Sequence, residues 1–172
     1  GKLLFTRLRQ RYSMIGTAFN YVTGPCLIKG EIGRKSPKAL FLDSYQLTER
    51  NILDVAFGLE YSPGGTWSLG MEAVNSRVED WSEDILNVPE DSSSLVLAWD
   101  KTFLNEDLSV NWMMQIAPPQ TAYIHSLRSS YKWNDAVTVY LDGFYPDVRD
   151  EESDLWVYRD QKQLAAKVQY QF

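Results

Sequence analysis

Hydrophobic and polar residues alternate along most of this chain, and this period of two constrains the fold more than any other feature. Successive side chains of a β-strand point to opposite faces, so strict alternation predicts strands with one apolar face. In the last segment, Leu164, Ala166 and Val168 alternate with Ala165 and Lys167. The pattern predicts an all-β chain with nine strands, which are 3–22, 27–35, 51–61, 66–77, 94–103, 106–116, 120–132, 135–145 and 160–172.

The connections between these strands alternate in length. Short turns rich in Gly, Pro, Asn and Asp are found at 23–25, 62–65, 104–107 and 133–135. Longer polar stretches are found at 35–50, 76–93 and 146–160. Short turns at one rim and long loops at the other are typical of bacterial outer-membrane barrels. We therefore predict an antiparallel up-and-down transmembrane β-barrel located in the bacterial outer membrane.

A soluble up-and-down barrel or sandwich has the same period, with its apolar face turned inward. Aromatic residues crowd the strand ends beside the short turns, which favours an interfacial girdle in a membrane; they are Tyr61, Trp67, Phe103, Tyr131, Trp133 and Phe172. If the apolar face contacts lipid, the other face lines the lumen. The predicted lumen-facing residues are Lys29, Glu31, Asp54, Glu60, Glu72, Asp100, Arg128, Asp142 and Lys167.

The strand count also predicts the domain organisation. Single-chain bacterial barrels have an even number of strands and begin on the periplasmic side, where the turns are short. Nine strands that end at the short-turn rim would begin at the long-loop rim instead. We therefore expect residues 1–172 to be the C-terminal portion of a single outer-membrane barrel domain, with upstream strands missing.

Composition and side-chain chemistry limit the possible functions. The net charge of −6 provides no basic surface for nucleic acid. A single cysteine and a single histidine predict no metal site and no cofactor. His125 and Ser126 are neighbours on one predicted strand, so they point to opposite faces and cannot pair as base and nucleophile. We predict no catalytic residues and expect that the chain is not an enzyme.

No specific ligand is predicted for two further groups of charged residues. The acidic residues of 79–91 and 147–154 have oxygen ligands suited to Ca²⁺ or Mg²⁺, but they lack the spacing of a known calcium loop and are interpreted as solvated loops. Arg7, Arg9 and Arg11 share one face of a predicted strand. They are interpreted as partners of acidic lumen residues, and a role in binding lipopolysaccharide phosphates is the alternative.

The closing strand carries alternate apolar residues and a terminal aromatic residue, Val168, Tyr170 and Phe172. This pattern resembles the C-terminal signal strand of Gram-negative outer-membrane barrels. The resemblance implies that the barrel-assembly machinery recognises these three residues.

A narrower resemblance rests on the segments 20–31, 57–65 and 128–135 together with the closing strand. They are similar to the C-terminal half of a proteobacterial family of long outer-membrane barrels of unknown function. Members are often encoded near exporters of the resistance-nodulation-division class and a periplasmic lipid-carrier-like protein. Cys26 departs from the family pattern, in which an aromatic residue follows Gly-Pro. The resemblance implies an exporter and a periplasmic carrier as partners, besides outer-membrane lipid and lipopolysaccharide.

These patterns predict a channel or an export component for small or lipid-like cargo. Three alternatives remain open. The first is a structural or adhesive barrel without a through-pore, the second is an outer-membrane lipid-modifying enzyme, and the third is a soluble lipid-binding barrel.

Overall fold

The fold is a single antiparallel sheet in which every strand pairs with the next one along the chain. The computed structural model describes residues 11, 13–117, 122–151, 153 and 155–172. The nine strands are β1 (Ser13–Thr23), β2 (Cys26–Phe41), β3 (Leu47–Tyr61), β4 (Trp67–Val78), β5 (Asp91–Phe103), β6 (Leu108–Ala117), β7 (Ala122–Asn134), β8 (Val137–Val148) and β9 (Gln163–Tyr170). The predicted all-β, up-and-down architecture is confirmed. Most of the predicted strand segment 3–12, with Arg7 and Arg9, lies outside the described residues.

The prediction of a long loop at 35–50 was wrong. β2 and β3 remain paired through Phe41 and Leu47, so the connection is only 42–46. The register shifts between Lys35 and Lys38, where β2 accommodates Pro37 in a bulge. The polar residues beyond this bulge continue the ladder, whereas polar composition alone predicted a loop. The predicted strand ends at 35 and 51 are corrected accordingly.

The other long connections are close to their predicted positions. The β4–β5 loop is 79–90, and the β8–β9 loop is 149–162 with a short 3-10 helix at Trp156–Tyr158. We call the end of the sheet that carries these loops and 42–46 the long-loop rim. The opposite end is the short-turn rim, with connections at 24–25, 62–66, 104–107 and 135–136.

The continuous register assigns each strand residue to one of two faces, because directly opposed partners share a face. Lys29 is opposite Gly58, and Gly58 is opposite Glu72. Following such pairs across the sheet defines a polar face that contains all nine predicted lumen residues. The other, apolar face carries residues such as Ile28, Phe57, Leu59, Leu69, Trp99, Trp112, Leu127, Leu141 and Val168.

The buried apolar side chains of the described residues all lie near the long-loop rim; they are Leu40, Ile52, Val78, Ile85, Ala122, Pro146 and Val148. The apolar face is exposed along the middle of the strands, where Leu141 is 42% and Val168 is 68% exposed. A soluble sandwich would bury such a face against a second layer, and the described residues supply no second layer. An exposed apolar face spread over nine strands is the surface that a lipid-facing sheet presents.

Two strands form the edges of the sheet. In the described part of the chain β1 pairs only with β2 and β9 only with β8, and β1 and β9 do not contact each other. Across the described ranges, no helix has the length and apolar character needed to cross a membrane.

Candidate functional site: the polar face and its rim

The centre of the polar face is a shallow depression over two glycines of neighbouring strands. Gly58 of β3 and Gly70 of β4 have no side chains, and the depression above them has a volume of about 230 Å³. Charged groups of adjacent strands, Lys29, Glu60, Glu72 and Asp100, line its sides. The register brings these groups together because their strands are consecutive in the sheet. The site is therefore a product of the meander and needs no distant segment.

Carboxylates outnumber cations in this region. A second depression of about 270 Å³ shares Lys29, Gly58 and Glu72 with the first and adds Glu31. We call Glu31, Glu60, Glu72 and Asp100 the acidic patch. Four carboxylates and the single ammonium of Lys29 give a formal charge of −3. Such a surface attracts cations and repels anions.

Only part of this charge is neutralised by direct contacts. The Nζ atom of Lys29 lies 3.4 Å from Oε2 of Glu60, and both side chains are more than two-fifths exposed. Asp100 accepts a hydrogen bond from the amide of Asn111, which carries no charge. Exposed ion pairs contribute little stability because water screens them. Most of the negative potential of the acidic patch therefore acts on solutes near this face.

The remaining charged groups on the polar face lie outside the acidic patch. Arg128 of β7 donates from Nε to Oδ1 of Asp142 on β8 at 3.1 Å. Lys167 of β9 lies above the ring of Tyr140, 5.1 Å from its centroid. The acidic patch thus lies on β2–β5, whereas Arg128 and Lys167 lie on β7–β9. That this whole face lines a lumen remains a prediction.

Four charged residues that the register places on this face were missed from the sequence: Lys35, Lys38, Arg50 and Lys132. Asp54 forms an ion pair with Lys35 at 2.7 Å and accepts a hydrogen bond from the hydroxyl of Ser76 at 2.7 Å. Lys35 was placed at the boundary of a predicted loop, so no face was assigned to it. It is six residues from Lys29 on the same strand, and this even spacing was the signal that could have placed it.

At the long-loop rim, the β4–β5 loop packs onto the polar side of the sheet. Leu40 and Val78 belong to the polar face, and Ile85 of the loop packs between them in a small apolar cluster. The indole of Trp81 donates a hydrogen bond to the carbonyl of Val88 at 2.8 Å, which closes the loop on itself. A bridge between Leu42 and Ile85 ties it to the β2–β3 connection. This loop therefore narrows the approach to the polar face.

A salt bridge holds the start of the same loop. The guanidinium of Arg34 donates to both carboxylate oxygens of Glu79, with Nε 3.0 Å from Oε1. These charge-assisted hydrogen bonds lower the pKa of Glu79 below its usual range. The backbone amide of Glu79 also donates to the carbonyl of Asn51 at 2.9 Å. The loop is thus fixed by polar contacts at its first residue and by apolar packing at Ile85.

His125 and Ser126 lie on opposite faces of β7. His125 is opposite Met114 and Tyr145 on the apolar face, whereas Ser126 is opposite Met113 and Phe144 on the polar face. The imidazole stacks against Trp112 with ring centroids 6.1 Å apart. The two residues do not form a catalytic pair with each other.

The described residues contain no group of three His, Cys, Asp or Glu side chains arranged to hold a metal ion. The acidic loops at 79–91 and 147–151 are included in that statement, although Glu152 and Asp154 lie outside the described residues. The absence of a cofactor remains a prediction.

The closing strand has the geometry of a regular edge. Val168 is opposite Val139 and Tyr170 is opposite Val137, both on the apolar face at the short-turn rim. Phe172 follows the strand end, and its ring stacks on Tyr170 at 6.3 Å between centroids. The three predicted assembly residues therefore form one exposed apolar strip, and their recognition by the assembly machinery stays a prediction.

Comparison with known proteins supports the barrel architecture and nothing narrower. No protein-family model and no curated protein matches the chain. A solved structure described as outer-membrane expressed OmpT of Vibrio cholerae is similar, with a TM-score of 0.52 and 14% sequence identity. The similarity covers 80% of this chain and 46% of that one, so this chain spans less than half the length of that protein. At this identity the likeness shows the fold, which is consistent with an outer-membrane location. The resemblance to the exporter-linked family gains no support.

The same match corrects one prediction. We expected from the sequence that the chain is not an enzyme, because His125 and Ser126 cannot form a pair. The likeness to the OmpT barrel shows a fold whose presence does not exclude catalysis, since folds host different functions at different sites. The exclusion of an enzyme was therefore wrong and is withdrawn.

Proposed function

We propose that this chain forms part of the wall of an outer-membrane channel that conducts small solutes. The observation that carries this proposal is the separation of the two faces. All nine charged residues predicted for the lumen share the polar face, and the opposite face is apolar and exposed. In a sheet embedded in lipid, a face of this polarity is stable only against water or paired protein groups.

The open edges of the sheet support a larger barrel. Unpaired backbone groups in hydrocarbon cost several kcal/mol each, on the order of a lost hydrogen bond in an apolar medium. β1 and β9 each leave one edge unpaired in the described part of the chain. We propose that further strands of the same barrel pair with both edges and close the wall. The barrel it resembles is more than twice as long as the matched portion.

The acidic patch gives the proposed channel a preference for cations. Glu31, Glu72 and Asp100 form no ion pair within 4.0 Å of a described cation, and Lys29 balances only Glu60. Fixed charges on a narrow aqueous path concentrate ions of the opposite sign. The β4–β5 loop, packed over the polar side at the long-loop rim, would restrict the size of the solutes that reach this patch.

A barrel without a through-pore is the second candidate, and specific contacts favour it. Three ion pairs cross between neighbouring strands of the polar face: Lys29–Glu60, Lys35–Asp54 and Arg128–Asp142. Ion pairs of this kind are found in lumens that side chains close, as well as in lumens that conduct. The packed β4–β5 loop would then serve as a plug.

The proposed partners rest on the sequence resemblances alone. Val168, Tyr170 and Phe172 form the strip that the assembly machinery would recognise. Delivery of small or lipid-like cargo by an inner-membrane exporter and a periplasmic carrier is the narrower form of the proposal.

Conductance measurement tests the proposal directly. The full-length barrel protein that contains this chain is inserted into a planar bilayer, and single-channel current is recorded in a gradient of potassium chloride. Discrete steps and a reversal potential of the sign set by potassium support a cation-preferring channel. Absence of steps from protein that shows heat-modifiable gel migration contradicts the channel and supports the plugged barrel.

A further inference from the structure

A groove interrupts the apolar face where β8 carries a glycine. Trp112, Leu127, Gly143 and Leu164 form one row across four consecutive strands, from β6 to β9. Gly143 has no side chain, and the groove above it has a volume of about 510 Å³ with mostly apolar walls. The groove therefore lies on the face that we assign to lipid.

Neither the backbone nor the packing requires glycine at this position. Gly143 does not have a positive φ angle. A Cβ atom there would lie 3.8 Å from Cβ of Leu127, which is an ordinary van der Waals contact. Glycine in the middle of a strand weakens the strand and often marks a place where a ligand approaches the backbone. Gly143 therefore keeps the groove open, although glycine at this position lowers the stability of β8.

The apolar face has a second mid-strand glycine that shows the alternative arrangement. Gly30 of β2 is covered by the ring of Phe19, its direct partner on β1. At that position the protein fills the space left by glycine with its own aromatic side chain. At Gly143 no described side chain does so.

The wall of the groove nearest the long-loop rim is aromatic, and the ammonium of Lys162 lies at its end. His125 lies between the rings of Trp112 and Tyr145, with both centroids 6.1 Å from its own. The ammonium of Lys162, just before β9, lies 4.8 Å from the centroid of Tyr145. Aromatic rings and lysine together are typical of the level at which a membrane protein meets lipid headgroups.

Among the described residues of this region, Lys162 is a cation with no carboxylate within 4.0 Å. The neighbouring acids are already engaged, because Asp147 pairs with Arg149 at 2.8 Å and Asp160 pairs with Arg159 at 3.4 Å. An apolar groove that leads to an ammonium without a described carboxylate partner matches a molecule with a hydrocarbon chain and an anionic head.

We propose that this groove binds an anionic, phosphate-bearing membrane lipid, with one acyl chain over Gly143 and the phosphate beside Lys162; the anionic phospholipid phosphatidylglycerol is the probe. The proposal shares with the proposed function the lipid-facing orientation of the apolar face. It requires no conducting lumen, so the conductance experiment and the lipid experiment fail independently.

Fluorescence quenching by brominated lipid tests the proposal, because Trp112 lines the groove. The full-length protein is reconstituted in phosphatidylcholine vesicles that contain a small fraction of brominated phosphatidylglycerol or brominated phosphatidylcholine. Subtracting the signal of the Trp112→Phe variant isolates Trp112 from all other tryptophans of the protein, five of which lie in this chain. We expect phosphatidylglycerol to quench Trp112 about fivefold more effectively, the preference that one lysine near an anionic lipid provides.

Variants locate the two parts of the lipid. Lys162→Gln should abolish the preference for phosphatidylglycerol, and Gly143→Val should reduce quenching of Trp112 by both lipids. Lys167→Gln, a lysine substitution on the polar face, is the matched control and should keep the preference. Equal quenching of the unmodified protein by the two lipids overturns the proposal without any variant. A preference that survives Lys162→Gln in protein with heat-modifiable migration overturns it as well.

Discussion

The ring of Phe19 lies over Gly30, its direct partner across the β1–β2 ladder. β1 is an edge strand with every residue exposed, and it is attached to the sheet by its ladder with β2. An aromatic ring that covers a glycine on the next strand shields backbone that would otherwise be bare. The pair therefore adds contact area that favours the observed register of β1.

Gly30→Ala should destabilise the sheet, because the new methyl group would overlap the Phe19 ring. Displacing this half-exposed ring should cost about 1 kcal/mol, the lower end of the range for overpacking. Urea unfolding in phospholipid vesicles, followed by tryptophan fluorescence, measures the loss. Gly143→Ala is the matched control, since its methyl group meets only an ordinary contact with Leu127. Equal stability of the two variants would show that the ring does not depend on the glycine.

Ile85→Ala should release the β4–β5 loop from the polar side of the sheet. Ile85 is 4% exposed and packs against Leu40 and Val78. Truncating a buried isoleucine to alanine costs about 2–5 kcal/mol of packing energy. The variant should weaken the attachment of the loop and leave the strands paired, because the backbone ladders do not involve the Ile85 side chain. Limited proteolysis within 79–90 should become faster. Val157→Ala, at an exposed position of the β8–β9 loop, should leave the cleavage rate unchanged.

Acid should loosen the start of the same loop. The hydrogen bonds from Arg34 lower the pKa of Glu79 in the folded protein. A lowered pKa stabilises the folded loop above the ordinary pKa of a glutamate, about 4.3, and this contribution is lost as the pH falls through the lower folded value. The protection factor of the Glu79 amide against hydrogen exchange, which divides out the intrinsic pH dependence of the rate, should fall across that window. In Glu79→Gln the protection factor should already be low at neutral pH and change less with acid; an unchanged profile would contradict the assignment to Glu79.

The strand pattern and the two faces could be predicted from the sequence because both depend only on local alternation. Lys29, Glu72 and Asp142 were assigned to one face without knowledge of their neighbours, and the register agrees. The boundary at Lys35 could not be placed, since the bulge there is defined by pairing with β3 and not by composition. The burial of Ile85 likewise depends on a loop that folds back over the sheet, a contact between segments that no local period records.

Substituting the terminal aromatic residue should impair assembly more than it impairs the folded barrel. Phe172 lies beyond the end of β9 and is fully exposed, and its ring stacks on that of Tyr170. Phe172→Ser should therefore leave refolding in detergent intact, whereas the amount of heat-modifiable protein in cell envelopes should fall severalfold. Tyr158→Ser, at a partly exposed aromatic residue in the β8–β9 loop, is the control. Normal envelope levels of Phe172→Ser would contradict recognition of the closing strand.

Glu72→Gln should weaken the cation preference of the proposed channel more than any other single neutral substitution in the acidic patch. Glu72 lines both depressions of the polar face, so its carboxylate acts on the full width of that surface. One unit charge about 4 Å from a passing ion contributes on the order of 1 kcal/mol in water. The potassium-to-chloride permeability ratio should therefore fall roughly two- to fivefold, measured from the reversal potential.

Lys29→Met should raise the ratio, because it removes the cation that balances Glu60. Glu106→Gln, in a tight turn at the short-turn rim, changes the net charge equally and should leave the ratio nearly unchanged. If all three variants give the same reversal potential, the polar face does not line the ion path, even where conductance is observed.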